Sequence, residues 1–287
     1  MHYVEAKSLL TSWNSMNIYR GCTHGCIYCD SRSTCYHIDH IFEDIEVKKN
    51  APELLETILK KKKNKIMIST GSMSDPYMPI EEKLQLTRKC LEVIDKYGFG
   101  ATVITKSDLI LRDLDLLKSI NKKAKCVVQM TLTTYDEELC KKIEPNVCST
   151  KRRFEVLKIL QENNIPTVVW FTPILPFIND TMENMKGNLD YCIEAGVKGI
   201  IFYGAGMTLR EGNREYYYKM LDKHFPTLSD IYRKKYKNAY QVVSDNNEKL
   251  MKYFYKRCKK NHILYTPDEC FNYINEMPEK YEQISIF

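Results

Sequence analysis

The chain of 287 residues is long enough for one large domain or two small ones, and its 44% hydrophobic and 28% charged residues are ordinary for a globular protein. It has no run of about eighteen apolar residues and no secretory signal pattern, so we expect a cytoplasmic protein, without a membrane contact, whose 11 cysteines are thiols or metal ligands. The net charge of +6 permits binding to a polyanion without requiring it.

Short β-branched runs alternate with longer helical stretches along most of the chain. This alternation predicts an α/β fold with a parallel sheet and right-handed crossovers. Six such units suit a partial (β/α)6 barrel of the TIM type, since a complete barrel has eight, although a doubly wound sheet has the same pattern. The predicted strands are Met16–Tyr19, Lys65–Ser69, Ala101–Thr105, Cys126–Leu132, Thr167–Phe171 and Gly199–Tyr203, and the predicted helices begin near Ala51, Glu81, Asp108, Asp136, Thr150 and Asp180.

The last part of the chain, from Tyr216, is basic and rich in tyrosine, with the clusters RKKYK and KRCKK. Its pattern is helical. We expect residues 1–215 to form the barrel and residues 216–287 to form a helical C-terminal extension that packs on it and ends in an exposed tail.

Three cysteines with the spacing C-x3-C-x2-C follow the first predicted strand, in the segment YRGCTHGCIYC; they are Cys22, Cys26 and Cys29. Gly21 and Gly25 permit the positive φ angles that a short loop around a cluster needs. Three thiolates can bind three irons of a [4Fe–4S] cluster and leave the fourth iron open to the amino and carboxylate groups of a methionine-like ligand. An electron from the cluster can then cleave a sulfonium and produce a 5′-deoxyadenosyl radical that abstracts hydrogen.

Two other metal sites have a similar pattern. A structural zinc site would need a fourth ligand, which Cys35 or His37 could supply, and a ferredoxin-type cluster would need a fourth cysteine. These alternatives correspond to a non-catalytic iron–sulfur or zinc module that binds nucleic acid.

The cysteine loop resembles the signature of the radical S-adenosylmethionine (SAM) superfamily, in which the residue before the last cysteine is aromatic, as Tyr28 is. The segments GCTHGCIYC, TGSMSDPYMPIE, ITKS and TPILPFIND resemble the spore photoproduct lyase-like branch. Over nearly the full length, the chain is most similar to the family called radical SAM mobile pair protein B. The resemblance implies an enzyme with a [4Fe–4S] cluster and SAM, a reductant such as flavodoxin or ferredoxin, and a second radical SAM protein as partner.

In a barrel of parallel strands the chemistry lies at the carboxyl ends of the strands. A row of hydroxyls with one cation there suits a zwitterionic ribonucleoside, although each side chain could instead be a satisfied cap or turn. The resemblance assigns Tyr28 to adenine, Ser74 and Lys106 to the methionyl carboxylate, and Thr131 to the ribose or carboxylate. The expected cofactor-binding residues are Tyr28, Ser72, Ser74, Asp75, Lys106, Thr131 and Thr133, and Thr172 and Tyr203 also follow predicted strands.

The resemblance to the lyase breaks at Ser72, which occupies the position of a hydrogen-donating cysteine. A serine O–H bond is too strong to give a hydrogen atom readily to a carbon radical. Asp30 also stands where the lyase has an aromatic residue. We therefore do not expect thymine-dimer reversal by the same route.

Two further groups of residues bear on the substrate. Arg210 and Arg214, after the sixth predicted strand, could bind a substrate phosphate or carboxylate, or could form surface ion pairs. The final residues resemble the peptide with which DNA repair proteins bind the bacterial sliding clamp, although a tail packed on the barrel is the alternative. The residues of this tail are Gln283, Ile284, Ser285, Ile286 and Phe287.

The first hypothesis for function is hydrogen abstraction from nucleic acid, with DNA favoured, for repair or modification. The second is modification of a peptide or small molecule together with a paired radical SAM protein. The third is the non-catalytic module.

Overall fold

The computed structural model describes residues 1–278. Its strands are β1 (His2–Val4), β2 (Ser15–Met16), β3 (Tyr19–Arg20), β4 (Glu46–Lys48), β5 (Met67–Thr70), β6 (Gly100–Thr105), β7 (Cys126–Thr131), β8 (Thr167–Trp170), β9 (Gly199–Ile201), β10 (Gly206–Thr208) and β11 (Gln241–Val243). Its α-helices are α1 (Ala51–Lys61), α2 (Glu81–Leu84), α3 (Leu86–Lys96), α4 (Leu114–Lys123), α5 (Glu137–Ile143), α6 (Thr150–Glu162), α7 (Met182–Glu194), α8 (Asn213–His224), α9 (Pro226–Tyr236), α10 (Asn247–Lys260) and α11 (Pro267–Asn275).

A six-stranded parallel sheet in the order β2-β5-β6-β7-β8-β9 forms the centre of the fold. All residues of β7 are buried, because helices cover one face of the sheet and side chains fill the other. The helices between the strands bury residues at helical spacing against the sheet, as Leu55 and Leu59 of α1 do. This architecture confirms the α/β partial barrel of six units.

The first predicted strand, Met16–Tyr19, is in fact two strands in two sheets. β2 pairs in parallel with β5, whereas β3 pairs antiparallel with β4 in a separate sheet of order β1-β4-β3. Met16 and Tyr19 are both buried in the same hydrophobic core, so the chain passes from one sheet to the other without leaving that core.

The helix predicted from Glu81 is also divided. Gln85 has a φ of +53° and separates α2 from α3. The buried Glu81 carboxylate accepts hydrogen bonds from the backbone N–H groups of Thr87 and Arg88, and it therefore satisfies the first turn of α3. The helix predicted from Asp108 begins as a 3-10 helix, Asp108–Asp113, before α4.

The described part of the chain after residue 215 contains four helices and the strand β11. β11 pairs antiparallel with β10, α10 contacts α7, and α11 lies against β9. The Tyr232 hydroxyl donates to the Pro176 carbonyl at 2.7 Å. Within residues 1–278, none of the helices has the length and apolar character needed to cross a membrane.

Candidate functional site

The cysteine loop follows β3 and is held by backbone hydrogen bonds. The N–H of Cys22 donates to the Phe42 carbonyl, and the N–H of Ile27 donates to the Ile143 carbonyl, each at 3.0 Å. Gly21 has a φ of +85°, and a Cβ there would lie 2.3 Å from the Phe42 carbonyl oxygen. Gly25 has a φ of +71°. The expectation of positive φ at both glycines is confirmed, and at Gly21 a side chain would also clash.

A cavity of about 1350 Å³ opens at the carboxyl ends of the parallel strands and extends along the inner face of the sheet. It brings together the cysteine loop and most of the strand-end residues identified in the sequence. The predicted residues that line it are Cys22, Cys26, Tyr28, Cys29, Ser72, Ser74, Asp75, Lys106, Thr131, Thr172 and Tyr203.

The three cysteine sulfurs face a common space but do not cluster as ligands of one ion would. Ligands of a single ion would lie within about 4.8 Å of one another. Among the described residues, the sulfur atoms of Cys22, Cys26 and Cys29 do not all lie that close together. Burial raises the pKa of Cys22 to about 12 and the pKa of Cys26 well above its usual range. A thiolate at either position would therefore need a positive partner, which a bound metal could supply. Cys35, a possible fourth zinc ligand, is exposed and lies 3.7 Å from Arg210, outside this cavity.

Asp75 connects the cysteine loop to the ends of β5 and β6. Its carboxylate accepts from the Thr105 hydroxyl and the Lys106 N–H, both at 2.7 Å, and lies 3.1 Å from His24 Nε2. Burial raises the pKa of Asp75, but the His24 ring and the hydrogen-bond donors outweigh it and lower the pKa to about 2. Asp75 is therefore ionised and occupied by protein contacts, so its geometry suits positioning of the loop rather than direct cofactor binding.

Two polar groups that face the cavity have no hydrogen-bond partner among the described residues. The Ser74 hydroxyl is buried without a hydrogen bond, and the Lys106 amino group has no hydrogen bond or ion pair within residues 1–278. Burial lowers the pKa of Lys106, but its interactions with the acidic groups of Cys26, Glu144 and Asp75 raise it overall. A cation and a hydroxyl left free in a cavity fit the carboxylate of a ligand such as SAM, since an unpaired buried polar group otherwise costs stability.

A second buried network lies on the other side of the loop. The Tyr28 hydroxyl donates to the Glu144 carboxylate, which forms an ion pair with the fully buried Arg153. Arg153 also donates to the Thr131 carbonyl at 2.8 Å and thereby holds the end of β7. No motif in the sequence marks Glu144 or Arg153. His24 lies inside the motif, and its position between two of the cysteines is the only sequence feature that points to a role for it in the loop.

Three of the residues predicted for the site do not line the cavity. Thr133 is fully buried, and its hydroxyl is 3.2 Å from that of Thr134, so we remove it from the candidate set. Arg214 donates to the backbone carbonyl of Leu209 and to others in the same region, which gives it a structural role. Arg210 donates to the hydroxyls of Tyr240 and Tyr36, each at 2.8 Å, and lies 3.4 Å from Asp30.

Arg210 is thus beside the cavity rim, because Asp30 lines the cavity, but its guanidinium group is already engaged by protein groups. The predicted clamp-binding tail, Gln283–Phe287, lies outside the described residues.

Two exposed aromatic side chains lie in the lining of the cavity, and the sequence pattern does not link them. Trp13 is 87% exposed and Tyr203 is 57% exposed, yet both line the cavity. Exposed aromatic rings that line a cavity, unlike rings scattered singly on a surface, commonly mark binding sites.

Comparison with known proteins identifies the family of this chain and proteins that share its fold. The Radical SAM superfamily matches residues 16–192. An uncharacterized protein of Methanocaldococcus jannaschii is 39% identical over 167 residues, which are 58% of this chain and 61% of that protein. An uncharacterized protein of Mycobacterium tuberculosis is 25% identical over 231 residues, which are 78% of this chain and 67% of that protein. The match to the first relative therefore spans less than two thirds of its length.

Among solved structures, a spore photoproduct lyase variant with bound AdoMet (SAM) and dinucleoside spore photoproduct has a TM-score of 0.61 with this chain, at 15% sequence identity. The likeness covers 87% of this chain and 74% of the lyase. At this identity the likeness shows a shared fold.

Proposed function

Because this chain belongs to the radical SAM superfamily, we propose that it abstracts a hydrogen atom from nucleic acid, with DNA as the favoured substrate, in a repair or modification reaction. The family membership makes the chain an enzyme that uses a [4Fe–4S] cluster and SAM and needs a reductant. We propose flavodoxin or ferredoxin in that last role.

Within the cavity, Cys22, Cys26 and Cys29 would hold the cluster. The cluster, when bound, supplies the electron that cleaves SAM and generates the hydrogen-abstracting radical. Lys106 and Ser74 would bind the SAM carboxylate, because both face the cavity with unused donors. Their donors would orient the ligand.

Around these residues, Tyr28 and Thr131 would contact the adenosine part of SAM. Ser72 would lie at the exposed end of the loop that follows β5. Tyr28 is fixed by Glu144, and Thr131 is fixed through its carbonyl by Arg153. Asp75 would act through its contact with His24 and keep the loop in place.

The observation that carries the proposal of a nucleic-acid substrate is the pair of exposed aromatic rings at the rim. Trp13 and Tyr203 line the cavity that contains the three cysteines, and every nucleobase can stack on such a ring. The cavity of about 1350 Å³ has room for SAM together with a further group. The net charge of +6 favours a polyanion weakly.

Two further features bear on the choice of DNA. The lyase with which this chain shares its fold carries a bound dinucleoside. The terminal segment Gln283–Phe287 resembles a sliding-clamp peptide, and we propose the clamp as a partner. Because Ser72 replaces a hydrogen-donating thiol of the lyase-like branch, we propose a reaction other than thiol-dependent dimer reversal.

The test is SAM cleavage by the anaerobically reconstituted enzyme, measured as 5′-deoxyadenosine, with single-stranded DNA, duplex DNA and RNA added separately. We expect DNA to stimulate cleavage. Loss of one stacking ring removes roughly 1–3 kcal/mol, so Trp13→Ala and Tyr203→Ala should each raise the DNA concentration for half-maximal stimulation about 5- to 150-fold. Tyr255→Ala is the matched control, because Tyr255 is also exposed (42%) but lies on α10, outside the lining of the cavity.

Stimulation that is unchanged in Trp13→Ala and Tyr203→Ala would contradict stacking at this rim. If no nucleic acid stimulates cleavage but a paired radical SAM protein with its peptide or small molecule does, the second hypothesis from the sequence replaces the first. If the reconstituted chain never cleaves SAM, the chain would be the non-catalytic module.

A further inference from the structure

A group of three potential metal ligands lies outside the large cavity, on the small sheet β1-β4-β3. β1 and β4 are parallel, and their register places His2 opposite Glu46. Residues paired in this way share a face of the sheet. His40, in the segment before β4, packs its ring against that of His2 with centroids 4.9 Å apart. One ligand atom from each of the three side chains lies within 4.8 Å of the other two.

Both histidine rings use their Nδ1 atoms to bind acceptors. His2 Nδ1 is 3.0 Å from the Asp44 carboxylate, and His40 Nδ1 is 2.9 Å from the Ile41 carbonyl. Since neither oxygen can donate, Nδ1 carries the proton in each ring, and in the neutral ring Nε2 keeps its lone pair. Metal-binding histidines are oriented in the same way by a carboxylate or carbonyl on the other nitrogen.

The Nε2 atom of His40 is buried and has no hydrogen-bond partner within the described residues. Hydrogen bonds and ion pairs between either ring and Glu46 are also absent from residues 1–278, so direct pairing does not explain the grouping. A buried nitrogen lone pair without a donor is costly. A cation between the two rings and the carboxylate would remove that cost.

We propose that His2, His40 and Glu46 bind one divalent first-row transition metal ion, with Zn²⁺ as the best match. Two imidazole nitrogens and one carboxylate oxygen form a known zinc ligand set, and water or another group takes the fourth position. Ca²⁺ and Mg²⁺ prefer ligand sets made of oxygen, so the two histidines disfavour them.

The position of the site suggests its role. The ion would tie β1 to the segment between the cysteine loop and β4. In that segment the Phe42 carbonyl accepts the N–H of Cys22, and the Phe42 ring lies 4.2 Å from the Arg32 guanidinium. The ion would therefore brace the outer wall of the cysteine loop without entering the large cavity.

The test uses the full chain without added histidine tags, with Cys22, Cys26 and Cys29 changed to Ser so that thiols do not compete for metal. Titration with Zn²⁺ should give one site per chain, and Co²⁺ should give a visible absorption spectrum. Loss of a residue that only hydrogen-bonds to a metal ligand typically lowers metal affinity about 10- to 100-fold. Loss of a ligand itself should cost more, so His40→Ala and Glu46→Gln should each lower the affinity for Zn²⁺ at least about 100-fold. His37→Asn, in the same segment but outside the ligand group, is the control and should bind as the parent does.

A second measurement keeps the native cysteines: metal analysis of the cluster-loaded chain should find one zinc in addition to iron, and Glu46→Gln should lack it. Zinc should also raise the melting temperature of the parent but not that of Glu46→Gln, because only a bound ion stabilises the folded state. Absence of Zn²⁺ and Co²⁺ binding, or binding that survives both His40→Ala and Glu46→Gln, overturns the proposal. Because the cysteine variant has no cluster, the Zn²⁺ and Co²⁺ titrations of that variant do not depend on the proposed reaction.

Discussion

Replacement of Lys106 tests the cofactor-binding end of the cavity. Lys106 follows β6, lies partly buried against the cavity, and has its amino group 5.9 Å from the centre of the Tyr28 ring. Although burial lowers its pKa, Cys26, Glu144 and Asp75 raise the pKa overall, so the amine is charged at neutral pH. Since this amine has no hydrogen-bond or ion-pair partner in the part of the chain that the structure describes, it could bind the SAM carboxylate.

Lys106→Met keeps an unbranched side chain of nearly the same length and removes its charge. A hydrogen bond to a charged group contributes about 1.5–3 kcal/mol. Because each 1.4 kcal/mol is about a tenfold change, the dissociation constant for SAM should rise about 10- to 150-fold. Iron loading should not change, because Lys106 is not a proposed cluster ligand.

The assay is anaerobic equilibrium binding of SAM to the reconstituted enzyme, together with iron and sulfide analysis. Lys122→Met is the matched control, since Lys122 is exposed on α4 and outside the cavity lining. Unchanged SAM affinity in Lys106→Met, or an equal loss in Lys122→Met, would refute the assignment of Lys106 to the site.

The other predictions concern the cluster, the buried ion pair and the tail. Alanine at any of the three motif cysteines should abolish loading of about four irons per chain and 5′-deoxyadenosine formation, whereas Cys35→Ala should retain both; iron analysis decides. Glu144→Gln should lower the free energy of unfolding by about 3–5 kcal/mol, because it leaves the Arg153 charge buried without its partner, and a loss below about 1 kcal/mol in denaturant titration would contradict this. A peptide of residues Gln283–Phe287 should bind a bacterial sliding clamp with about micromolar affinity, and Phe287→Ala should remove most of that binding. Deletion of the five residues should leave the melting temperature and SAM cleavage unchanged. If the deletion instead lowers the melting temperature and no clamp binding is found, the tail would be a structural part of the fold.

The five later strands of the parallel sheet could be predicted to within about two residues, because they are short runs rich in β-branched and apolar residues and most of these residues are buried. β6 and β7 are clear examples. The first strand could not be divided correctly, since β2 and β3 are two residues each and the choice of sheet depends on β4 and β5, which come later in the chain. Pairing partners of such short strands are not encoded in local pattern.

The cysteine loop could be predicted because its three cysteines lie in one short segment, with a spacing typical of cluster ligands. The barrel rule for strand ends correctly selected Ser74, Lys106 and Thr131 as cavity residues, but it also selected Thr133. β7 ends at Thr131, so the alternation of faces stops there and a hydroxyl two residues later need not point the same way.

The buried contacts beside the loop could not be predicted, because they join distant parts of the chain. Tyr28 and Glu144 are 116 residues apart, and Asp75 meets His24 from a different strand end. Buried ion pairs such as Glu144 with Arg153 add little stability over apolar residues of similar size, since their desolvation offsets their attraction. Their value here is therefore positional: Glu144 holds one side of the cysteine loop and Asp75 holds the other. Apolar replacements would preserve the barrel but release the loop, so the motif supplies the three cysteines while these buried charges determine where the cysteines lie.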